Sequence, residues 1–254
     1  MVKAKIKLNF YKSKESPILY IHGSGGTWKV WKKQLESIGG YAIDLPGHGK
    51  SEDDKSISTV DDYARHVIDF IEDEIGSAYV VGHSLGGAIA QMVYLVGKDL
   101  GKDLGKDIVK GLILVGTGVR LRVLPELLDG LRSDFENTAK RLVSMLFSKK
   151  FSDEKVKEEA LKEILECGSE ITLRDLVACD KFDLLAEYKE GKIAVDVPVL
   201  CIVGKDDIMT PPKYSAFFEK TIGARVVEIE DAGHMVMLEK PEEVNRAILE
   251  FVER

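Results

Sequence analysis

Gly82-His83-Ser84-Leu85-Gly86 is the stretch from which the fold of this 254-residue chain is read. Ala78-Tyr79-Val80-Val81 ahead of it is short, apolar and β-branched, which predicts a buried strand. Gly87-Ala88-Ile89-Ala90-Gln91-Met92-Val93-Tyr94 behind it is rich in helix formers with apolar residues all round, which predicts a buried helix. A serine squeezed between the two must take a sharp, strained turn, and the glycines two residues to either side leave room for it. Such a turn lifts the Ser84 hydroxyl above the sheet edge, near the positive end of the following helix. The pentapeptide is common on its own; the strand–turn–helix setting makes Ser84 a candidate nucleophile.

A serine hydroxyl attacks poorly until a base takes its proton. Of the five histidines, His66 falls within the amphipathic helical pattern of Val60 to Glu74. His83 adjoins the serine, but neighbours across so tight a turn point apart. His22 and His48 belong to glycine-rich loops, where structural hydrogen bonds are the ordinary role. His234 remains, in Asp231-Ala232-Gly233-His234-Met235 after the strand-like Arg225-Val226-Val227-Glu228-Ile229. By elimination it is the base.

The base needs a carboxylate to fix its tautomer and stabilise the imidazolium. Val197-Pro198-Val199-Leu200-Cys201-Ile202-Val203 reads as a buried strand, and Gly204-Lys205-Asp206-Asp207 follows at its carboxyl end. Spacing alone does not separate Asp206 from Asp207, and either suits an ordinary turn. The order of serine, aspartate and histidine is that of the nucleophile-elbow hydrolases.

Four stretches together resemble the α/β-hydrolase superfamily over nearly the whole chain: His22-Gly23-Ser24-Gly25-Gly26, Asp44-Leu45-Pro46-Gly47-His48-Gly49-Lys50-Ser51, the elbow around Ser84, and Gly204…Asp207 with Gly233-His234. The resemblance implies a capped, esterase- or lipase-like serine enzyme that needs no cofactor or metal. In relatives the acid stands three residues beyond the glycine that ends its strand, which points to Asp207. The backbone amides of Ser24 and Leu85 are implied as the donors that hold an oxyanion. Gly23, Met209 and Met235 are expected to line the substrate pocket, whereas the turn residues from Asp44 to Ser51 are expected to brace the elbow, with neither His48 nor Ser51 catalytic.

The expected activity is hydrolysis of small to medium carboxylic esters through an acyl-enzyme, as a serine carboxylesterase. Related proteins with the same machinery act on thioesters (acyl-coenzyme A included), amides or carbon–carbon bonds, or transfer the acyl group to an alcohol, thiol or peroxide. A non-catalytic receptor on the same fold is the remaining alternative. Serine at position 84 argues against the dehalogenases and epoxide hydrolases of the superfamily, which use aspartate there.

A net charge of −7 argues against nucleic acid as a partner. No apolar run approaches the span of a bilayer, and Met1-Val2-Lys3-Ala4-Lys5-Ile6-Lys7 alternates charged with apolar residues. That pattern predicts a strand without a signal peptide's apolar core, and a cytoplasmic protein without membrane insertion. The three cysteines, Cys167, Cys179 and Cys201, form neither a ligand cluster nor an even disulfide set. Lysine and glutamate are abundant while Asn9, Asn137, Asn245, Gln34 and Gln91 are the only amides, a balance that resembles thermophile proteins.

Strands alternate with helices along the chain, which predicts a mostly parallel sheet of seven or eight strands covered on both faces. An edge strand is expected over 2–11. From Arg120 to Ile193 the alternation stops. Leu124, Leu127, Leu128 and Leu131 have helical spacing, as do Leu142, Val143, Leu146 and Phe147, then Ala160, Leu161, Ile164 and Leu165. The division expected is a core of residues 1–119 and 194–254, with 120–193 as a helical cap whose leucine faces roof the pocket. An apolar roof suits acyl chains or aromatic groups. Arg120 and Arg122 are either solvated or poised for an anionic group. The tandem Gly97-Lys98-Asp99-Leu100, Gly101-Lys102-Asp103-Leu104, Gly105-Lys106-Asp107-Ile108 reads as a local duplication on the rim opposite the chemistry.

Overall fold

The computed structural model describes residues 5–99 and 108–253. Seven strands form one sheet: β1 (Phe10–Ser13), β2 (Ile18–Ile21), β3 (Gly40–Ile43), β4 (Ala78–His83), β5 (Val109–Val115), β6 (Val199–Gly204) and β7 (Arg225–Ile229). Their spatial order is β1-β3-β2-β4-β5-β6-β7. Only β1 is antiparallel to its neighbour; the other pairings are parallel.

The continuous apolar strands follow from burial on both faces. Leu19 and Ile21 of β2 join one core cluster with α2 (Val60–Glu74) and α3 (Leu85–Asp99). Ile18 and Tyr20, pointing the other way, join a second cluster with Trp31, Leu35 of α1 (Lys32–Ser37) and Ile248. Period-2 side-chain alternation thus feeds two cores from one strand.

The edge strand begins later than its alternating sequence predicts. Residues 5–9 pair with a loop instead: Glu52 N–H donates to the Lys7 carbonyl and Asp44 N–H to that of Asn9. β3 ends at Ile43, so beyond it there is no extended partner for a longer β1. A 3₁₀ turn over Trp28–Trp31 leads directly into α1. The elbow helix α3 runs on to Asp99 and takes in Gly97, Lys98 and Asp99 of the tandem repeat; residues 100–107, which hold the remainder of it, lie outside the described residues.

Between β5 and β6, among the described residues, come α4 (Pro125–Ser133), α5 (Phe135–Leu146), α6 (Glu154–Cys167), α7 (Ser169–Lys181) and α8 (Leu185–Lys189). Asp134 and Asp153 cap the second and third of these through their carboxylates. After β6 the alternation resumes with α9 (Lys213–Ile222), and after β7 with α10 (Val236–Glu239) and α11 (Pro241–Val252), whose first turn opens on proline. No helix among the described residues is long and apolar enough to cross a membrane.

Candidate active site

The sheet's strand order changes direction at β2 and β4, and loops leaving the carboxyl ends of parallel strands meet at such a point. Ser84 follows β4 directly with φ of +52°, a left-handed conformation that a non-glycine residue adopts only at a cost. The turn is held by Ser84 N–H donating to Val115 O at 3.0 Å and by Thr117 Oγ1 donating to Ser84 O at 2.8 Å. Two glycines are sterically obligatory: a Cβ on Gly82 would lie 2.1 Å from Gly86 O, and one on Gly86 would lie 2.4 Å from Ile21 O.

His234 Nδ1 lies 2.8 Å from Asp207 Oδ2, and both side chains are buried. The other Asp207 oxygen accepts the N–H groups of Met209 and Thr210 at 2.8 and 2.9 Å, while Thr210 Oγ1 donates to Oδ2 at 2.8 Å. Burial pushes the Asp207 pKa up, but the neighbouring His234 and these hydrogen bonds outweigh it and hold the carboxyl at about 2. Asp206 is turned elsewhere, accepting from Ser148 Oγ at 2.6 Å. The ambiguity that spacing leaves between the two aspartates therefore ends in the tertiary structure: Asp207 is the one beside His234.

Gly23, Ser24, Ser84, Met209, His234 and Met235 line one cavity of about 620 Å³. Leu85 is buried beside it as the first residue of α3, whose N–H has no partner inside the helix. Leu142, Leu146, Val156, Ala160, Ile164 and Leu176, from α5, α6 and α7, form an apolar wall, and Lys33, Lys162 and Glu166 also border the cavity. Arg120 and Arg122 are not among the lining residues. Arg120 is half-buried and Arg122 exposed; both turn to Asp183, with Arg122 Nη1 also donating to Asp180 O at 2.7 Å.

Several residues that hold this site carry no signal in the sequence. His83 Nε2 donates to the His234 carbonyl at 3.0 Å, and burial together with His234 keeps its pKa well below 6.5, so the ring is neutral. Glu239, buried, accepts Gly233 N–H on one oxygen and Ser148 N–H on the other, at 2.9 and 3.0 Å. It ties the His234 loop to the end of α5. Thr210 was legible in principle, because an aspartate with a threonine three residues on is a local turn pattern. Asp44 accepts from Trp28 N–H, Asn9 Nδ2 and Lys50 N–H, so the loop it opens ties the amino-terminal segment to the turn at Trp28; none of these contacts is with the elbow.

Residues 18–247 match the alpha/beta hydrolase family, and the chain belongs to that family. The solved structure of a thermophilic esterase is 43% identical, with a TM-score of 0.89 over 98% of this chain and 94% of that one. The (E)-2-((N-methylformamido)methylene)succinate hydrolase of Acinetobacter baylyi is 28% identical over 264 residues, covering 96% of this chain and 93% of that enzyme. The dihydrolipoyllysine-residue acetyltransferase component of the acetoin cleaving system of Pseudomonas putida is 24% identical over 246 residues. That match takes in 94% of this chain and 64% of the component's length, so the chain spans less than two thirds of that relative.

Proposed function

We propose that this chain is a serine hydrolase that cleaves small to medium carboxylic esters through an acyl-enzyme intermediate. The observation that carries the reading is the meeting, in one cavity, of Ser84 on its strained elbow with a buried His234–Asp207 pair. Similarity to an esterase at 43% identity over nearly the full chain supports the same class.

In this reading each group has a role that its chemistry suits. Asp207 takes Nδ1 of His234, which leaves Nε2 to accept a proton. Ser84 Oγ attacks the ester carbonyl carbon as its proton passes to Nε2, and the carbonyl oxygen gathers negative charge. The Ser24 and Leu85 N–H groups stabilise that charge. The tetrahedral species collapses, the C–O bond to the alcohol breaks, and the alcohol leaves with the proton from Nε2. Water then repeats the sequence against the acyl-Ser84 bond, with His234 as base, and releases the acid.

Residues 120–193 act in this reading as a cap over a core of 1–119 and 194–254. Its support is the apolar wall that α5, α6 and α7 contribute to the cavity. That wall and the cavity's size favour an apolar acyl or aromatic group over a sugar or a charged peptide.

Hydrolysis of p-nitrophenyl esters from acetate to palmitate, wild type beside Ser84→Ala, tests the proposal. Turnover of short or medium chains that disappears in Ser84→Ala is the expected result, together with a single phosphonate adduct on Ser84 by mass spectrometry. A folded wild type that neither turns over any chain nor takes the phosphonate would remove it.

A further inference from the structure

Asp175 is a fully buried carboxylate outside the Ser84–His234–Asp207 group, supplied by α7. Three donors converge on it. Tyr63 OH donates to Oδ1 at 2.5 Å; Gly25 N–H and His48 Nε2 approach Oδ2 at 2.9 and 2.8 Å. His48 Nδ1 lies 3.1 Å from Pro46 O, so each ring nitrogen faces an acceptor and both carry protons. His48 is therefore an imidazolium. Burial pulls its pKa down, but Asp175 overcomes this and raises it well above 6.5, and Asp175 itself is held below the ordinary carboxylate range.

A buried ion pair is poor value for stability alone, since apolar side chains of similar volume do as well or better. The position of this one suggests its use. Gly25, gripped by Asp175, follows Ser24 and has φ of +67°. The peptide that carries the Ser24 N–H has Gly23 O as its carbonyl, and that oxygen accepts from His22 Nδ1 at 2.7 Å and from Gly26 N–H at 3.2 Å. In a trans peptide the N–H and C=O point in opposite directions, so fixing Gly23 O aims the Ser24 N–H. His22 can donate from Nδ1 only as that neutral tautomer, because its Nε2 accepts Leu45 N–H at 3.0 Å. The His48 ring stands 4.8 Å from that of His22, and burial with this adjacent positive charge holds the His22 pKa down to about 4.

We propose that Asp175 is a positioning residue for the oxyanion loop: it fixes Gly25 directly and, through His48 and His22, the direction of the Ser24 N–H. Because Asp175 belongs to the 120–193 segment and its donors to the remainder of the chain, a competent oxyanion site requires that segment to be docked. This inference rests on the serine-hydrolase reading above.

Asp175→Asn, nearly isosteric, is the test, and Arg174→Gln is its control. Arg174 is the preceding residue of α7 and docks the same helix through Asp53, Pro46 O and Tyr63 OH; its removal leaves Tyr63 OH donating to Asp175 and His48 Nδ1 on Pro46 O, and it touches none of residues 22–26. Two readouts are compared at matched folded fraction: kcat and KM on p-nitrophenyl butyrate, and affinity for an alkyl trifluoromethyl ketone. Ser84 Oγ adds to that ketone as its proton passes to His234, and the resulting oxyanion occupies the same site. Asp175→Asn should lower kcat and ketone affinity together, by about 10- to 100-fold, with KM within about threefold. Arg174→Gln should lower the melting temperature yet leave both within about threefold.

Equal losses in the two variants, or an Asp175→Asn enzyme with unchanged kcat and ketone affinity, would overturn the inference while the hydrolase reading stands. A wild type without turnover or ketone binding overturns both. If Asp175→Asn does not fold, Tyr63→Phe removes one donor from the carboxylate and should shift the same two quantities by about two- to fivefold. No shift there overturns the inference.

Discussion

Two buried histidine–aspartate pairs lie in this molecule, each with a 2.8 Å contact, and they differ in which ring nitrogen the carboxylate holds. Asp207 takes Nδ1 of His234, and Nε2 has no hydrogen-bond partner among the described residues. Asp175 takes Nε2 of His48, while Nδ1 is occupied by Pro46 O. His234 lines the cavity with Ser84, and His48 does not. In the proposed mechanism the first pair leaves Nε2 free to carry a proton, whereas both ring nitrogens of His48 are held by acceptors. Under the proposed mechanism, burial and pairing alone do not make a catalytic base; the base also needs an unoccupied ring nitrogen in the cavity that holds Ser84.

The largest expected effect breaks the first pair. Ser84→Ala and His234→Ala should each lower kcat by about 1000-fold or more, measured on the best p-nitrophenyl ester with folding checked by circular dichroism. Asp207→Asn should cost on the order of 1000-fold by favouring the wrong tautomer, whereas Asp206→Asn should stay within about threefold. The reverse order would move the acid to Asp206. Thr210→Val removes one hydrogen bond to Asp207 Oδ2 and should cost about fivefold in kcat with little change in KM.

Stability against pH offers the smallest but sharpest contrast. A histidine whose folded pKa lies above its unfolded value stabilises fully below the unfolded value, here 6.5, and that contribution is lost as pH rises toward the folded value. His48 should therefore give the wild type a falling melting temperature above pH 6.5, by up to about 1.4 kcal/mol of stability per pH unit. His22 and His83, already neutral, add no slope in that range. In Asp175→Asn the slope between pH 6.5 and 9 should flatten, as followed by calorimetry. Asp207 acts at the other end: its folded pKa of about 2 lies below the unfolded 3.8, so its contribution is present above 3.8 and lost as pH falls toward 2.

Much of this protein is decided locally. The G-x-S-x-G elbow is legible because its glycines answer to steric contacts with Gly86 O and Ile21 O that any strand–turn–helix junction of this kind creates. Apolar runs such as Ile18 to Ile21 announce a sheet covered on both faces, since alternate side chains must each find a core. Eliminating four other histidines singles out His234, which the fold brings beside Asp207 in the cavity that Ser84 lines. The amino-terminal strand misled for the complementary reason: alternation over 2–11 fits an extended chain, but among the described residues, which begin at 5, the sheet offers a partner only from Phe10 onward.

Tertiary structure alone decided the rest. Asp206 and Asp207 are equivalent as sequence, and only the approach of Ser148 to one and of His234 to the other separates them. Helix α7 shows a weak apolar face because part of its buried surface is polar: Thr172 and Asp175 are spent on contacts with residues more than a hundred positions away or on its own preceding turn. Helical periodicity records burial against apolar neighbours, and it is silent where a buried side chain is satisfied by a charge. Asp175, His48 and His22 become one system only when the insertion docks.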